Sequence, residues 1–337
     1  MTPLTFAAPQ AAPAPDRPGD LALRVTAVRL EADDVISLVL ASPAGADLPG
    51  WAPGAHIELL LPSGRMRQYS LCGPTENRKE YRIAVLRERA GRGGSAEIHD
   101  SPLVGRVFPV RGPRNHFELR PSRRYRFIAG GIGVTPVLAM ARSLGRDVPW
   151  TLHYGGRSRA SMAFVDELRA AGGERVIVTA QDEQGILDVD AIVAGADADT
   201  AIYCCGPAGL LAAVAASRES LAPRSPLYVE RFTGSGGSAA AGTATSAGER
   251  EFEIELRRSG VTAVVPPGRT VLDVIREFVP DAPFSCAEGY CGSCETAVLA
   301  GTPDHRDEIL TEAERARNRT MFPCVSRARS DRLVLDL

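Results

Sequence analysis

Between residue 21 and about residue 120, apolar and polar positions alternate in short runs closed by turn residues: LALRVTAVRLEA, VISLVLA, HIELLLP, RQYSLC, EYRIAVL and GRVFPV. Runs of this length at close spacing predict antiparallel strands in a barrel or sandwich. From Tyr125 the rhythm changes. YRFIAG leads into a helical pattern over 135–144, followed by WTLHYG, a second helix over 161–171, RVIVTA, AIYCCG, a third helix over 207–217, and LYVERF. Strand–helix alternation predicts a parallel sheet with crossover helices. Near the end, EFEIELRR and VTAVVP predict a hairpin, and 270–278 an amphipathic helix, giving a mixed α+β segment.

Two low-complexity stretches bound these patterns. Residues 1–19 are rich in Ala and Pro and are expected to be a disordered leader. Residues 233–248 contain only Gly, Ser, Ala and Thr, the composition of a flexible linker spanning about 22 Å. The expected organisation is therefore 1–19, 20–120, 121–232, 233–248 and 249–337. The formal net charge of −2 argues against nucleic acid or an anionic membrane as partner. No apolar run reaches the roughly 20 residues of a membrane span, and no secretory pattern opens the chain. A cytoplasmic setting is expected.

Seven cysteines are present, and four crowd the last segment as Cys286-AEGY-Cys291-GS-Cys294, with Cys324 further on. The C-x4-C-x2-C…C spacing is that of plant-type 2Fe–2S ligands. Gly289, Gly292 and Ser293 let the backbone wrap closely and aim N–H groups at sulfur. A structural zinc site is the alternative, although it usually pairs two C-x2-C knuckles and only one is present. A one-electron centre also needs an electron source elsewhere in the chain.

Ala129-Gly-Gly-Ile-Gly-Val-Thr-Pro136 follows a predicted strand and opens a helix, so its backbone can approach a pyrophosphate at the helix N-terminus. Pro136 suits the first helical turn. The third glycine of G-x-G-x-x-G is absent, and tight packing alone also accounts for such a turn. Arg67-Gln-Tyr69-Ser70 places a cation, an aromatic and a hydroxyl on one strand, with Ser70 facing away from the other two unless the strand bends. They could hold a flat ring and its phosphate, or simply be a half-buried Tyr beside a surface Arg. Gly91-Arg-Gly-Gly-Ser95 offers a second anion cradle or a flexible turn.

Taken in order, RQYS, GRGGS, AGGIGVTP, CCGP, YVERF and the cysteine pattern resemble the phthalate dioxygenase reductase family, with vanillate demethylase reductases similar. PDHRD at 303–307 and the terminal VLDL strengthen the resemblance, which covers about residues 20–337. It implies a multidomain protein: an antiparallel flavin-binding β-barrel, an α/β parallel-sheet NAD domain and an α+β β-grasp ferredoxin. It implies FMN held by Arg67, Tyr69 and Ser70, with Gly93, Gly94 and Ser95 around its phosphate. Gly131, Gly133 and Thr135 would lie along the NAD pyrophosphate. Cys205, Gly206 and Pro207 would approach the nicotinamide, and Phe232, after Glu230, would cover the flavin. Cys286, Cys291, Cys294 and Cys324 would hold the cluster. Cys72 and Cys204 are expected in the core, and His56, His116 and His305 in structural roles.

The resemblance also implies a route of NADH to FMN to 2Fe–2S and then to a separate Rieske-type terminal oxygenase, an aromatic ring hydroxylase or O-demethylase. A haem-thiolate monooxygenase is the alternative acceptor. A zinc-binding scaffold with a nucleotide-like fold is the alternative of another class. NADH is expected over NADPH, although the turn after WTLHYG carries Arg157 and Arg159 and no acid.

Overall fold

The computed structural model describes residues 21–89, 93–145, 147–232, 250–284, 289, 292–307, 310 and 312–337. Two compact units divide between residues 235 and 236. The leader, the linker, Gly91, Arg92, Cys286 and Cys291 lie outside the described residues.

The first unit begins with six strands and one short helix: β1 (Leu21–Ala32), β2 (Val35–Ala41), β3 (Ala55–Leu60), β4 (Met66–Ser70), β5 (Glu80–Leu86), α1 (Gly94–His99) and β6 (Val107–Asn115). Every pairing in the order β4-β3-β6-β1-β2-β5 is antiparallel. Leu71, just past β4, bridges to Ile83 on β5 and brings the two ends of that order together as a barrel. Alternation is plain in β1, where Leu23 and Val25 are buried and Arg24 and Thr26 are exposed. The barrel interior gathers these with Leu38, Leu40, Ile57, Leu59, Tyr81 and Ile83.

The same unit continues with β7 (Arg124–Gly130), α2 (Val134–Ser143), β8 (Trp150–Gly156), α3 (Val165–Gly172), β9 (Val176–Ala180), α4 (Gln181–Gln184), α5 (Val189–Val193), β10 (Thr200–Gly206), α6 (Ala208–Leu221) and β11 (Leu227–Arg231). The strands form a parallel sheet in the order β11-β10-β7-β8-β9. All seven residues of β10 are buried, as expected for a central strand covered on both faces. Its side chains alternate between layers, Tyr203 and Cys205 on one side and Ile202 and Cys204 on the other.

The expected helix over 161–171 begins later, at Val165. Met162, Ala163 and Phe164 are all buried, and three consecutive residues cannot share one helix face. Instead, Arg159–Ser161 form a 3-10 turn, and Phe164 takes a left-handed φ of +63° that costs about 1–2 kcal/mol for an L-residue. The third helix runs on to Leu221, with Pro207 extended just before it. Helices α4 and α5 are too short to show a period in sequence.

The connection from barrel to sheet is fixed by two tyrosines. Tyr203 Oη donates to the Glu118 carbonyl (3.0 Å) and accepts from Arg120 N (2.7 Å). Tyr125 Oη donates to the Arg120 carbonyl (3.0 Å) and accepts from Ser122 N (2.9 Å). Tyr203 also stacks on Tyr228, with ring centres 4.7 Å apart.

The second unit contains β12 (Phe252–Leu256), β13 (Val261–Val265), α7 (Val271–Phe278), β14 (Thr296–Ala300), β15 (Pro303–Asp304), α8 (Glu312–Arg317), β16 (Thr320–Met321), β17 (Arg327–Ala328) and β18 (Arg332–Leu335). The expected hairpin is β12–β13. The mixed sheet runs β13-β12-β18-β14-β16, with β18 parallel to β12 and antiparallel to β14. Across it lies α7, packing Val271, Val274 and Ile275 into the core. Thr270 and Asp273 form its capping box, a device contributing about 1 kcal/mol.

Candidate functional site

The parallel sheet grows from β7 to β8 and β9 on one side and returns to β10 on the other. The crevice between the C-terminal ends of β7 and β10 is therefore the topological switch point, where open α/β sheets bind ligands. Gly131 takes a φ of +54° there. A Cβ on Gly133 would fall 2.4 Å from the Cys205 carbonyl oxygen, and one on Gly206 would fall 3.0 Å from Gly130 Cα. The turns after the two strands thus meet backbone to backbone. Pro207 closes the crevice, its Cδ 2.7 Å from where a Gly130 Cβ would stand. Gly130 was not among the expected residues; the doubled glycine was the signal for it. Thr135 is buried and donates its hydroxyl to the Ile132 carbonyl at 3.0 Å, so the first turn of α2 already uses that group.

On the barrel side, Arg67, Tyr69 and Ser70 lie on β4 opposite Leu59, Ile57 and His56. Arg67 Nη1 donates to the Met66 carbonyl at 2.8 Å. A Cβ on Gly94 would fall 2.4 Å from Arg67 Nε, so the RQYS strand and Gly94 come together in space. Gly93 holds φ +83° at the start of α1, and Ser95 Oγ accepts from Glu88 N at 3.0 Å. Burial pushes the Tyr69 phenol well above its ordinary range.

Three side chains from different strands converge between these regions: Ser70 of β4, Cys205 of β10 and Glu230 of β11. Cys205 Sγ lies 3.9 Å from Glu230 Oε2, within reach of a weak S–H donor. Burial, with the carboxylate beside it, pushes the Cys205 thiol far up, so it is not a thiolate. Burial also pushes Glu230 from 4.5 to about 8, with Cys205 and Ser70 acting against the shift. The Glu230 residue is partly covered overall, but its carboxyl end points inward, and the inward end decides the shift. Ser70 Oγ is buried with no hydrogen bond of ordinary geometry, a capacity that suits a polar ring edge. Phe232 packs against the same core.

The sign of the Glu230 effect is fixed. The unfolded chain releases this proton near 4.5 and the folded chain near 8, so folding stability falls as pH rises between those values. Glu230→Gln is expected to flatten that part of the curve of melting temperature against pH. An unchanged slope between pH 5 and 8 would contradict the assignment.

In the second unit, Cys294 and Cys324 are 3% and 2% exposed, with their sulfurs 3.3 Å apart. That separation exceeds a disulfide bond of about 2.05 Å, so the two sulfurs are not bonded to each other. Gly289 and Gly292 both take φ +77°, and a Cβ on Gly289 would strike Val325 at 2.6 Å. Two buried sulfurs, with glycine at nearby positions of positive φ, fit a thiolate-held centre. Among the described residues no three metal-ligating side chains cluster.

Cys72 and Cys204 are fully buried core residues. His56 is buried with its pKa lowered to about 4 by burial, and its ring lies 5.6 Å from that of His116. His305 Nε2 is 3.2 Å from Asn318 Oδ1. These contacts accord with structural roles. A cavity of about 540 Å³ lined by Glu31, Arg159, Phe164 and Glu167 contains none of the expected site residues. No described helix is long and apolar enough to cross a membrane.

Residues 127–216 match the sequence family described as oxidoreductase NAD-binding domain, and residues 254–329 match the 2Fe-2S iron-sulfur cluster binding domain. The chain is 44% identical over 320 residues to phenoxybenzoate dioxygenase subunit beta of Ectopseudomonas oleovorans, covering 94% of this chain and 97% of that one. It is similar to the solved structure of phthalate dioxygenase reductase, described as modular for electron transfer from pyridine nucleotides to [2Fe-2S]. That likeness has a TM-score of 0.68 at 34% identity and covers 95% and 98% of the two chains. A type IV self-sufficient cytochrome P450 monooxygenase is similar at TM-score 0.83 and 40% identity, over 97% of this chain. The match spans only 43% of that longer protein.

Proposed function

The chain belongs to the phthalate dioxygenase reductase family of oxygenase reductase components, and on that premise we propose that it carries electrons from NADH through FMN and a 2Fe–2S cluster to a separate Rieske-type terminal oxygenase. The observation that carries this reading is the convergence of Ser70, Cys205 and Glu230 where the barrel meets the switch point of the sheet. The zinc-scaffold alternative gives way, because the cysteine segment matches a 2Fe-2S family and the chain as a whole matches reductases.

In this reading residues 20–120 are the flavin barrel, 121–232 the NAD domain and 249–337 the ferredoxin, joined by 233–248. FMN, when bound, accepts two electrons with the hydride of NADH and releases them singly. Arg67 meets the flavin phosphate beside the backbone of Gly93, Gly94 and Ser95. Tyr69 and Ser70 hold the ring, and Phe232 covers it. Gly131 and Gly133 leave room for the dinucleotide pyrophosphate, with Thr135 stiffening the turn from behind. Gly206 and Pro207 shape the nicotinamide end, where Cys205 offers a neutral thiol. Glu230 keeps its proton at neutral pH and so adds no negative charge to the hydride path. Cys286, Cys291, Cys294 and Cys324 hold the iron. No residue is asked to act as a catalytic amine, in keeping with a chain whose basic residues are arginine except for Lys79.

Nicotinamide choice gains support from the fold. The turn just after β8 carries no acid of its own, but Asp182 N donates to the Arg157 carbonyl at 3.1 Å, which brings the acidic start of α4 beside that turn. A carboxylate there favours a free ribose hydroxyl over a phosphate. The expected result is a kcat/KM for NADH about tenfold or more above that for NADPH; a preference for NADPH would refute it. The test of the whole reading is anaerobic titration with NADH, which should bleach flavin absorbance and then cluster absorbance. A colourless, metal-replete protein is incompatible with it.

The likeness to the self-sufficient P450 supports a second acceptor, a haem-thiolate monooxygenase on another chain. Co-purification separates the two, since a Rieske subunit and a haem protein differ in colour and metal content. A cytoplasmic setting completes the proposal.

A further inference from the structure

The barrel and the NAD half also meet away from the ligand sites, where one carboxylate is shared by two arginines. Glu167, in the first turn of α3, accepts a forked pair from Arg82 of β5: Nη2 to Oε1 at 2.5 Å and Nη1 to Oε2 at 3.2 Å. Arg142, in the last turn of α2, pairs with the same Oε1. The side chains of Arg82, Glu167 and Arg142 are only 18%, 23% and 30% exposed, so solvent screens them weakly. Arg82 is fixed further. It donates to the Cys72 carbonyl at 3.0 Å and lies 5.0 Å over the ring of Phe164, the residue with the left-handed backbone.

Each partner sits on an element that leads to a ligand site. Just past β5, Glu88 N is bound to Ser95 of the flavin-phosphate loop. At its other end α2 starts from Gly133 of the dinucleotide turn. A carboxylate that holds β5, α2 and α3 together therefore fixes one ligand-bearing edge against the other. We propose that Glu167 is a positioning residue for hydride transfer, setting the reach between the nicotinamide end of the NAD half and the flavin edge of the barrel. The proposal rests on the function given above. Reacting atoms displaced by about 1 Å lose up to roughly a hundredfold in rate, so a loosened latch should act on the hydride step rather than on affinity.

The test is Glu167→Gln in the holoprotein, which keeps the shape and removes the charge. Under saturating NADH the limiting rate of flavin reduction is expected to fall about tenfold or more, while the NADH dissociation constant and flavin content change less than about twofold. Arg82→Lys, which keeps the charge but loses the fork, should fall between. Without NADH, amide exchange at 81–84 and 165–168 should quicken about tenfold, with 23–25 and 202–204 unchanged. An unchanged limiting rate overturns the proposal even if exchange quickens, because the latch is then only structural. Unchanged exchange overturns it as well. If Glu167→Gln does not accumulate folded, Arg82→Lys and Arg142→Met carry the same measurements. Failure of NADH to reduce wild-type flavin would defeat the proposed function instead, and is read on a different sample.

Discussion

Cys294→Ala is expected to cut cytochrome c reduction by roughly a hundredfold while NADH still reduces the flavin at close to the native rate. The two activities separate because the sulfur and the hydride site belong to different compact units. Cys294 is buried beside Cys324, Phe322 and Leu272, so its loss removes one of the four proposed sulfur ligands, and the methyl of alanine cannot replace it. The flavin and dinucleotide residues lie in the other unit and keep every contact described for them. Iron content and visible absorbance should fall together with the cytochrome rate. Parallel loss of flavin reduction would mean that the units are not independent.

Gly133→Ala should disable the other half of the relay. The added Cβ would lie 2.4 Å from the Cys205 oxygen and 2.5 Å from its carbonyl carbon, and neither atom can rotate away. Relief requires the turn after β7 to part from the end of β10, at the crevice itself. Overpacking of this kind costs about 1–3 kcal/mol, so the melting temperature should drop. The NADH dissociation constant should rise about tenfold, since the backbone surface that would receive the dinucleotide has moved. Gly145→Ala is the matched control, with nothing within 4 Å of its Cβ. Equal behaviour of the two variants would remove the close approach from the account.

Those two sites differ in how far the chain reveals them. The cysteine spacing is local, so it can be read directly, and Cys294 and Cys324 are adjacent as it requires. The strand–helix rhythm from Tyr125 also survives, because each parallel strand is a continuous apolar run and each long helix has a period of its own. What sequence cannot carry is the meeting of distant segments. Gly130 faces Gly206 across the sheet, Gly94 lies against Arg67, and Glu230 reaches Cys205. Each contact depends on register and strand order. The late start of α3 escaped for a different reason: Met162, Ala163 and Phe164 are apolar enough to extend a helical pattern, but all three are consumed by burial. The acid beside the Arg157 turn escaped because it comes from α4, past an intervening helix and strand.

The tyrosine-held connection between barrel and sheet bears on how the chain can be dissected. A fragment ending at residue 120 would leave the Glu118 and Arg120 carbonyls without the hydroxyls of Tyr203 and Tyr125, both of which come from later strands. A fragment beginning at residue 121 would open those same hydroxyls, and the stacked Tyr203–Tyr228 pair behind them, to water. The joint is therefore owned by both halves. In gene-shuffling terms the flavin and nucleotide modules make up a single cassette, to be moved together or not at all.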